Sequence, residues 1–160
     1  FGGWDYAPDL MDRTDWSTAA AKSGEPMGGT LPAPAAKPGQ APRFAISALQ
    51  DPGSAKLERL QIIKVWLGED GPEERVFDVK AAVEKAGAPS LQAVWQDPAF
   101  DPARPALYYA RVVEMPTPRW STLLARQHGL APTKGYPETI QERAWSSPIW
   151  YAPAAKTEAP

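Results

Sequence analysis

The sequence predicts a mainly β fold, an antiparallel β-sandwich of about six or seven strands with one peripheral helix and a long N-terminal loop. Its 19 Pro and 12 Gly favour short elements joined by turns. Residues 57–67 form the most apolar continuous run, and residues 43–50 and 106–115 alternate as strands do. We therefore predict one sandwich domain over residues 1–152 and a loose tail at residues 153–160.

Composition places the chain among globular proteins. Hydrophobic residues make up 43% and charged residues 22% of the chain, which is an ordinary balance for a folded domain. The formal net charge of -2 gives no basic excess, which argues against non-specific binding to nucleic acid. The absence of Cys excludes disulfides and thiolate chemistry, and no apolar run approaches the ~20 residues of a membrane helix.

The run at residues 57–67 is expected to be the central strand. Its apolar side chains alternate between two faces, with Leu60, Ile62 and Trp66 on one and Ile63, Val65 and Leu67 on the other. Apolar residues on both faces are typical of a strand that is covered on both sides. A helix is the alternative interpretation, because several of the same residues also fall at helical spacing. The β-branched residues and the bounding glycines favour the strand.

The N-terminal region combines a strand end with a long connection. Residues 1–6 place aromatic side chains around a Gly pair and predict an edge strand whose beginning is missing. Residues 7–43 are rich in Pro, Gly and Ala and predict a long loop. Asp9, Asp12 and Asp15 do not match the spacing of a calcium-binding EF-hand loop, so we interpret them as turn or helix-cap residues.

Four further elements follow from turn and capping signals. Residues 80–86 are expected to form one or two helical turns, and residues 91–96 are either helix or strand. Residues 118–128 predict the best helix of the chain, with an apolar stripe and a Gly after its end. Residues 144–151 predict a strand whose Pro suits a sheet edge.

The residues of this chain predict no catalytic constellation, no metal ligand and no cofactor. Metal-dependent and Ser-His-Asp hydrolases both need imidazoles. The only His, His128, lies at the end of a predicted helix, where a structural or solvent-facing role is expected. No Gly-x-Ser-x-Gly elbow is present. The Gly pair at residues 28–29 is followed by prolines and not by a helix, so it predicts a turn and not a phosphate-binding loop.

The 7 Trp and 5 Tyr raise a binding hypothesis, because exposed aromatic rings can stack on sugars or other flat apolar ligands. Three of them, Trp66, Tyr109 and Trp150, lie in strand patterns that core packing explains. The candidates for ligand stacking lie in less regular contexts, namely Trp4, Trp16 and Trp95.

Six sequence blocks carry a family resemblance. They are residues 1–6, 26–29, 97–102, 108–112, 115–120 and 141–151. Together and in this order, they resemble the C-terminal part of the domain-of-unknown-function family 3604. Residues 147–151 are also similar to the last strand of a β-sandwich that caps related hydrolases, which agrees with the strand pattern. Between residues 79 and 91 the chain is shorter than many relatives.

The resemblance implies a function for the parent protein. Members of this family resemble metal-dependent phosphoesterases of the polymerase-and-histidinol-phosphatase type, many of them exported or periplasmic. This chain would then be a non-catalytic accessory domain whose partner is an N-terminal catalytic domain that holds the divalent metal. Arg119, Glu142 and Arg143 lie in family-like blocks outside regular strands, so they are our candidates for shaping that active site. The alternative is a binding module for carbohydrate or another envelope polymer.

Overall fold

Two β-sheets that pack face to face form the body of the molecule, which confirms the predicted fold class. The computed structural model describes residues 1–34 and 40–153. Its strands are β1 (Gly2–Gly3), β2 (Gly24–Glu25), β3 (Thr30–Pro32), β4 (Arg43–Leu49), β5 (Leu57–Leu67), β6 (Pro72–Ala81), β7 (Ser90–Gln96), β8 (Ala106–Glu114), β9 (Thr117–Pro118), β10 (Thr139–Ile140), β11 (Arg143–Trp145) and β12 (Ile149–Ala152). A 3-10 helix, η1 (Leu10–Asp12), and the helices α1 (Trp16–Ser23) and α2 (Trp120–Gln127) complete the described elements. Of the predicted tail at residues 153–160, residues 154–160 lie outside the described residues.

The larger sheet is built around β5. Its strand order is β3-β12-β8-β5-β6, and β11 also pairs with β8. All of these pairs are antiparallel except the parallel pair of β3 with β12. The smaller sheet has the order β2-β1-β4-β7, and β9 pairs separately with β10.

The main hydrophobic core lies between the two sheets. Phe44 and Ile46 of the smaller sheet pack with Leu60 and Ile62 of β5. Because side chains alternate along a strand, Ile63 points to the opposite face, and it is nevertheless only 1% exposed. β5 is therefore a central strand, as predicted, but its second face is covered only in part, because Leu67 on that face is 71% exposed.

The N-terminal connection is more ordered than the sequence predicts. The predicted long loop at residues 7–43 contains η1, α1, β2 and β3. A second, smaller core explains this difference, because Tyr6, Leu10 and Ala20 are buried together with Ala45 of β4. The Tyr6 hydroxyl donates to the Ala20 carbonyl at 2.9 Å. Alanine is a strong helix former, so this Ala-rich segment folds into a helix once Tyr6 provides a surface to pack on.

The first residues also differ from the prediction. β1 is not an edge strand, because it pairs with β2 on one side and with β4 on the other. Tyr6 packs closely over the backbone at this point. A Cβ atom added to Gly3 would lie 2.7 Å from the Tyr6 ring, so glycine is required for this approach.

The aspartates of this region take the positions expected of turn and cap residues. Asp9 precedes η1 and Asp15 precedes α1, although neither side chain makes a capping hydrogen bond. Asp15 instead forms an exposed ion pair with Arg13 at 2.8 Å. This pairing lowers the pKa of Asp15 through the hydrogen bond from Arg13.

Three local predictions are corrected or decided by strand pairing. Residues 80–86 form no helix, because β6 extends to Ala81 and a turn follows it. Residues 91–96 are strand, since β7 pairs along the full length of β4. The strand predicted at residues 144–151 is divided into β11 and β12, and the division determines which side chains reach the surface.

Candidate functional site

Two tryptophans project from the outer face of the larger sheet. Trp145 is 58% exposed and Trp150 is 49% exposed. Trp145 pairs with Arg111 of β8, and Trp150 pairs with Leu107. On β8, residues 107, 109 and 111 point to the face opposite to the buried Tyr108. Directly paired residues point to the same face, so Trp145 and Trp150 also lie on this outer face. Tyr109 is half-buried and lies on β8 midway between Leu107 and Arg111. We call Trp145, Tyr109 and Trp150 the outer aromatic line.

A β-bulge between β11 and β12 brings the two tryptophans onto the same face. They are five residues apart in sequence, but their partners on β8 are only four residues apart. In a regular strand, residues separated by an odd number point to opposite faces. The segment between the two tryptophans therefore contains one residue more than the strand it pairs with, which is a β-bulge. Ser146 fixes the bulge with two hydrogen bonds to Ala110. Its Oγ accepts from the Ala110 backbone N–H at 3.0 Å, and its own backbone N–H donates to the Ala110 carbonyl at 3.0 Å.

A polar network borders the outer aromatic line. Arg111 donates from its Nε to Gln61 Oε1 at 2.7 Å, and Gln61 donates from its Nε2 to Asp78 Oδ1 at 2.5 Å. The Nε of Arg59 lies 3.8 Å from the same Asp78 oxygen. These bonds cross three neighbouring strands, so the guanidinium of Arg111 is held in a fixed position next to Trp145.

A shallow depression of about 260 Å³ lies beside Trp150. It is lined mainly by apolar side chains, and these include Val65, Leu67, Pro72, Leu107 and Trp150. Val65, Leu107 and Trp150 belong to the outer face by strand register. The face therefore offers exposed rings, an apolar depression and fixed hydrogen-bonding groups within one surface.

Helix α2 turns its apolar side away from the rest of the domain. Trp120, Leu123 and Leu124 are 77%, 53% and 46% exposed, whereas Thr122 and Ala125 are buried. Residues at this spacing form a single stripe on a helix. A surface helix normally buries such a stripe, so the α2 face, consisting of Trp120, Leu123 and Leu124, has the character of an interaction surface.

The three predicted site-shaping residues lie on two different elements. Arg119 precedes α2, and its backbone N–H and the Thr122 hydroxyl both donate to the Glu138 carbonyl, at 2.9 and 2.8 Å. The Arg119 Nε is buried and has no hydrogen-bond partner among the described residues. Glu142 and Arg143 are exposed at the start of β11. Arg119 thus adjoins the α2 face, whereas Glu142 and Arg143 adjoin the outer aromatic line.

The three tryptophans proposed for ligand stacking are half-buried and pack on other rings. Trp4 contacts Phe100 and Tyr151 at centroid distances of 5.8 and 5.9 Å, Trp95 contacts Phe44 and Phe77 at 6.0 and 4.9 Å, and Trp16 contacts Phe1 at 6.4 Å. The prediction that Trp150 packs in the core is wrong. Its neighbour Tyr151, 3% exposed, takes that position, because the bulge sets the register of β12.

A second cavity, of about 250 Å³, opens between the two sheets beside Phe1. Among the described residues, those that line it carry no charged side chain, and they include Phe1, Trp16, Met27, Phe44, Ile62 and Ile149. Such a cavity can accept an apolar group.

The buried polar groups between the sheets form a closed set. Lys64 Nζ lies 2.6 Å from Asp97 Oδ2 and donates to the Ala99 carbonyl at 2.6 Å. The Tyr108 hydroxyl donates to the same Asp97 oxygen at 2.8 Å. Burial and then the Asp97 carboxylate raise the pKa of Tyr108. Each charge faces a partner inside the protein, so this cluster joins β5, β8 and the turn after β7.

Among the residues that the structure describes, no group of three or more His, Cys, Asp or Glu side chains could hold a metal ion. His128 is exposed after α2, where its backbone N–H donates to the Leu124 carbonyl at 3.1 Å. No helix in the described ranges is long and apolar enough to cross a membrane.

Comparison with known proteins identifies the family. The model of a family described as "Protein of unknown function (DUF3604)" matches residues 1–86 and 80–153. The chain belongs to the DUF3604 family. No curated protein and no solved structure matches it.

The outer aromatic line of this DUF3604 chain lies within two of the blocks that carry the sequence resemblance. Trp145 and Trp150 belong to the block at residues 141–151, and Tyr109 belongs to the block at residues 108–112. The sequence pattern alone does not predict that Trp145 and Trp150 share an exposed face, because in a regular strand they would point to opposite faces. The available signal was Ser146-Ser147-Pro148, where a Pro in a paired strand can mark a bulge.

Proposed function

We propose that this chain is a non-catalytic accessory domain of a metal-dependent, phosphoesterase-like hydrolase, and that it packs against the catalytic domain through the α2 face. The observation that carries the proposal is the outward orientation of Trp120, Leu123 and Leu124. The sequence resemblance to the C-terminal part of such proteins supports the choice of partner. The divalent metal would belong to the catalytic domain.

The energetics of α2 support a docked state. Covering a large apolar side chain contributes about 1.5–3 kcal/mol, so three such side chains on one stripe give a substantial driving force for association. The buried Nε of Arg119 lacks a partner among the described residues, and an unpaired buried donor costs about 1–3 kcal/mol. Arg119 directly precedes Trp120 of the α2 face, so it is the predicted site-shaping residue nearest to the proposed interface.

The test uses the full-length parent protein with Trp120→Ser and Leu124→Ser combined. The matched control combines Leu49→Ser and Val83→Ser, which remove side chains that are 76% and 95% exposed at other places. Thermal unfolding reports the coupling of the domains, and hydrolysis of p-nitrophenyl phosphate with added divalent metal reports activity.

We expect the α2 variant to separate one unfolding transition into two and to lower turnover, because the docked geometry is lost. The control should retain a single transition and wild-type turnover. Equal behaviour of the two variants would overturn the docking surface. A wild-type parent without metal-dependent phosphoester hydrolysis would overturn the hydrolase assignment.

A second function, binding of carbohydrate or another envelope polymer, is favoured by a different observation. Trp145 and Trp150 are exposed on one face, next to the side chain of Arg111, whose position the buried Gln61 fixes by accepting a hydrogen bond from it. This surface and the α2 face have no residue in common, so an accessory domain could have both functions.

A further inference from the structure

We propose that the outer face of the larger sheet binds a single linear glycan chain that lies along β8, with its rings stacked on Trp145 and Trp150. The inference rests on the second function above and is independent of docking through α2. It names the ligand class, the direction of the chain and the residues that contact it.

The spacing of the aromatic line fits an extended ligand. The partners of Trp145 and Trp150 on β8 are four residues apart, which corresponds to about 13 Å along the strand. Tyr109 occupies the position midway between them on the same face. Side chains stand roughly perpendicular to a sheet, so the two indole rings offer stacking positions separated by several sugar rings of one chain.

The chemistry of the surface matches a sugar better than a protein partner. A sugar ring has apolar C–H faces and hydroxyls around its edge, and it needs a flat apolar platform with hydrogen-bonding groups beside it. Arg111 donates to Gln61 through its Nε. The two terminal amino groups of its guanidinium take no part in that bond and can donate to sugar hydroxyls. The carboxylate of Asp78, whose side chain is 67% exposed, adds an acceptor on the same face.

The depression beside Trp150 is a second, independent observation. It adjoins one end of the aromatic line and has an apolar lining. A sugar ring stacked on Trp150 would place one edge over Leu107 and Val65. The α2 face differs in kind, because its three exposed side chains are all apolar and include no fixed polar group. The alternation of aromatic and polar groups is therefore specific to the proposed glycan surface.

The experiment measures binding of soluble β-1,4-linked hexasaccharides to the intact chain by isothermal titration calorimetry. The probes are cellohexaose, xylohexaose, mannohexaose and chitohexaose, each compared with its disaccharide. We expect at least one hexasaccharide to bind, and to bind more tightly than its disaccharide because only the longer ligand reaches both tryptophans.

The decisive variants are Trp145→Ala and Trp150→Ala, and the matched control is Trp120→Ala, which removes an exposed tryptophan from a different surface. Each outer-face variant should weaken hexasaccharide binding about tenfold, and Trp145→Phe should recover most of the loss. The disaccharide should lose little affinity in at least one of the two variants, since it contacts a single ring. Circular dichroism and thermal unfolding establish that the variants are folded.

Absence of binding to all four hexasaccharides would overturn the proposal. Binding that survives in both outer-face variants, or that is lost in Trp120→Ala, would also overturn it. Neither result would bear on the unfolding and turnover of the parent protein, which test the α2 face separately.

Discussion

The two faces of the larger sheet carry polar networks with opposite consequences. On the inner face, Lys64 and Asp97 are paired with side chains that are only 7% and 0% exposed. On the outer face, Gln61 of β5 is linked to Arg111 of β8 and to Asp78 of β6, and Gln61 is 5% exposed whereas the Asp78 side chain is 67% exposed. The position of a residue along β5 or β8 thus decides its role. The inner network joins the two sheets, whereas the outer network leaves the carboxylate of Asp78 exposed to solvent.

The largest effect expected from this comparison follows removal of the inner carboxylate. Asp97→Ala would leave Lys64 buried without its partner, so the free energy of unfolding should fall by about 3–5 kcal/mol. The matched outer-face control is Asp78→Ala, which should cost less, about 1–3 kcal/mol, because the group that loses its acceptor is the neutral side-chain amide of the buried Gln61. Urea unfolding measures both. Similar losses in the two variants would show that the faces do not differ as described.

A smaller effect is expected at Tyr108, the third member of the inner network. Tyr108→Phe keeps the ring and removes the hydroxyl that donates to Asp97, so unfolding free energy at neutral pH should fall by about 1–3 kcal/mol. Tyr109→Phe on the outer face of the same strand is the control, with an expected change below about 0.5 kcal/mol. A larger loss for Tyr109→Phe would reverse the assignment of faces.

The same residue predicts a pH dependence. The raised pKa of Tyr108 means that the folded chain keeps this proton at a pH where an unfolded tyrosine, with a pKa of 10.0, loses it. Its contribution is therefore fully present below pH 10.0 and is lost as the pH rises further. Above that pH, Tyr108→Phe should reduce the decline in stability by up to about 1.4 kcal/mol per pH unit. An unchanged alkaline slope in Tyr108→Phe would contradict this assignment.

The long strands could be predicted because alternation is a local property of the sequence. The runs around Leu60, Ile62 and Tyr108 alternate over seven or more residues, and the structure confirms them as β5 and β8. The order in the N-terminal connection could not be predicted in this way. α1 and β2 depend on packing around Tyr6, which is a contact between distant parts of the chain and leaves little local signal.

The candidate surfaces could not be predicted for two physical reasons. Helical periodicity identifies an apolar stripe on α2, but it does not say whether the domain or a partner covers that stripe. The outer aromatic line depends on one extra residue in β11–β12, and a slip of one residue moves every following side chain to the other face. For this reason, the strand pattern predicts a core position for Trp150, whereas its side chain lies at the surface.

The smallest expected effect concerns the bulge itself. Ser146→Ala removes the Oγ that accepts from the Ala110 N–H, so unfolding free energy should fall by about 0.5–1.5 kcal/mol. Ser147→Ala is the matched control, since its exposed side chain has no assigned role in the bulge, and its effect should stay below about 0.5 kcal/mol. The backbone bond from Ser146 to Ala110 remains in both variants, so the fold should persist.

The value of this pair lies in comparing stability with hexasaccharide affinity. If Ser146 fixes the angle between Trp145 and Trp150, Ser146→Ala should weaken glycan binding although neither ring has been changed. Ser147→Ala should bind as the wild type does. Equal affinities in the two variants would contradict a role of the Ser146 hydroxyl in positioning the rings. The retained backbone hydrogen bond would then be sufficient to position both tryptophans for one glycan chain.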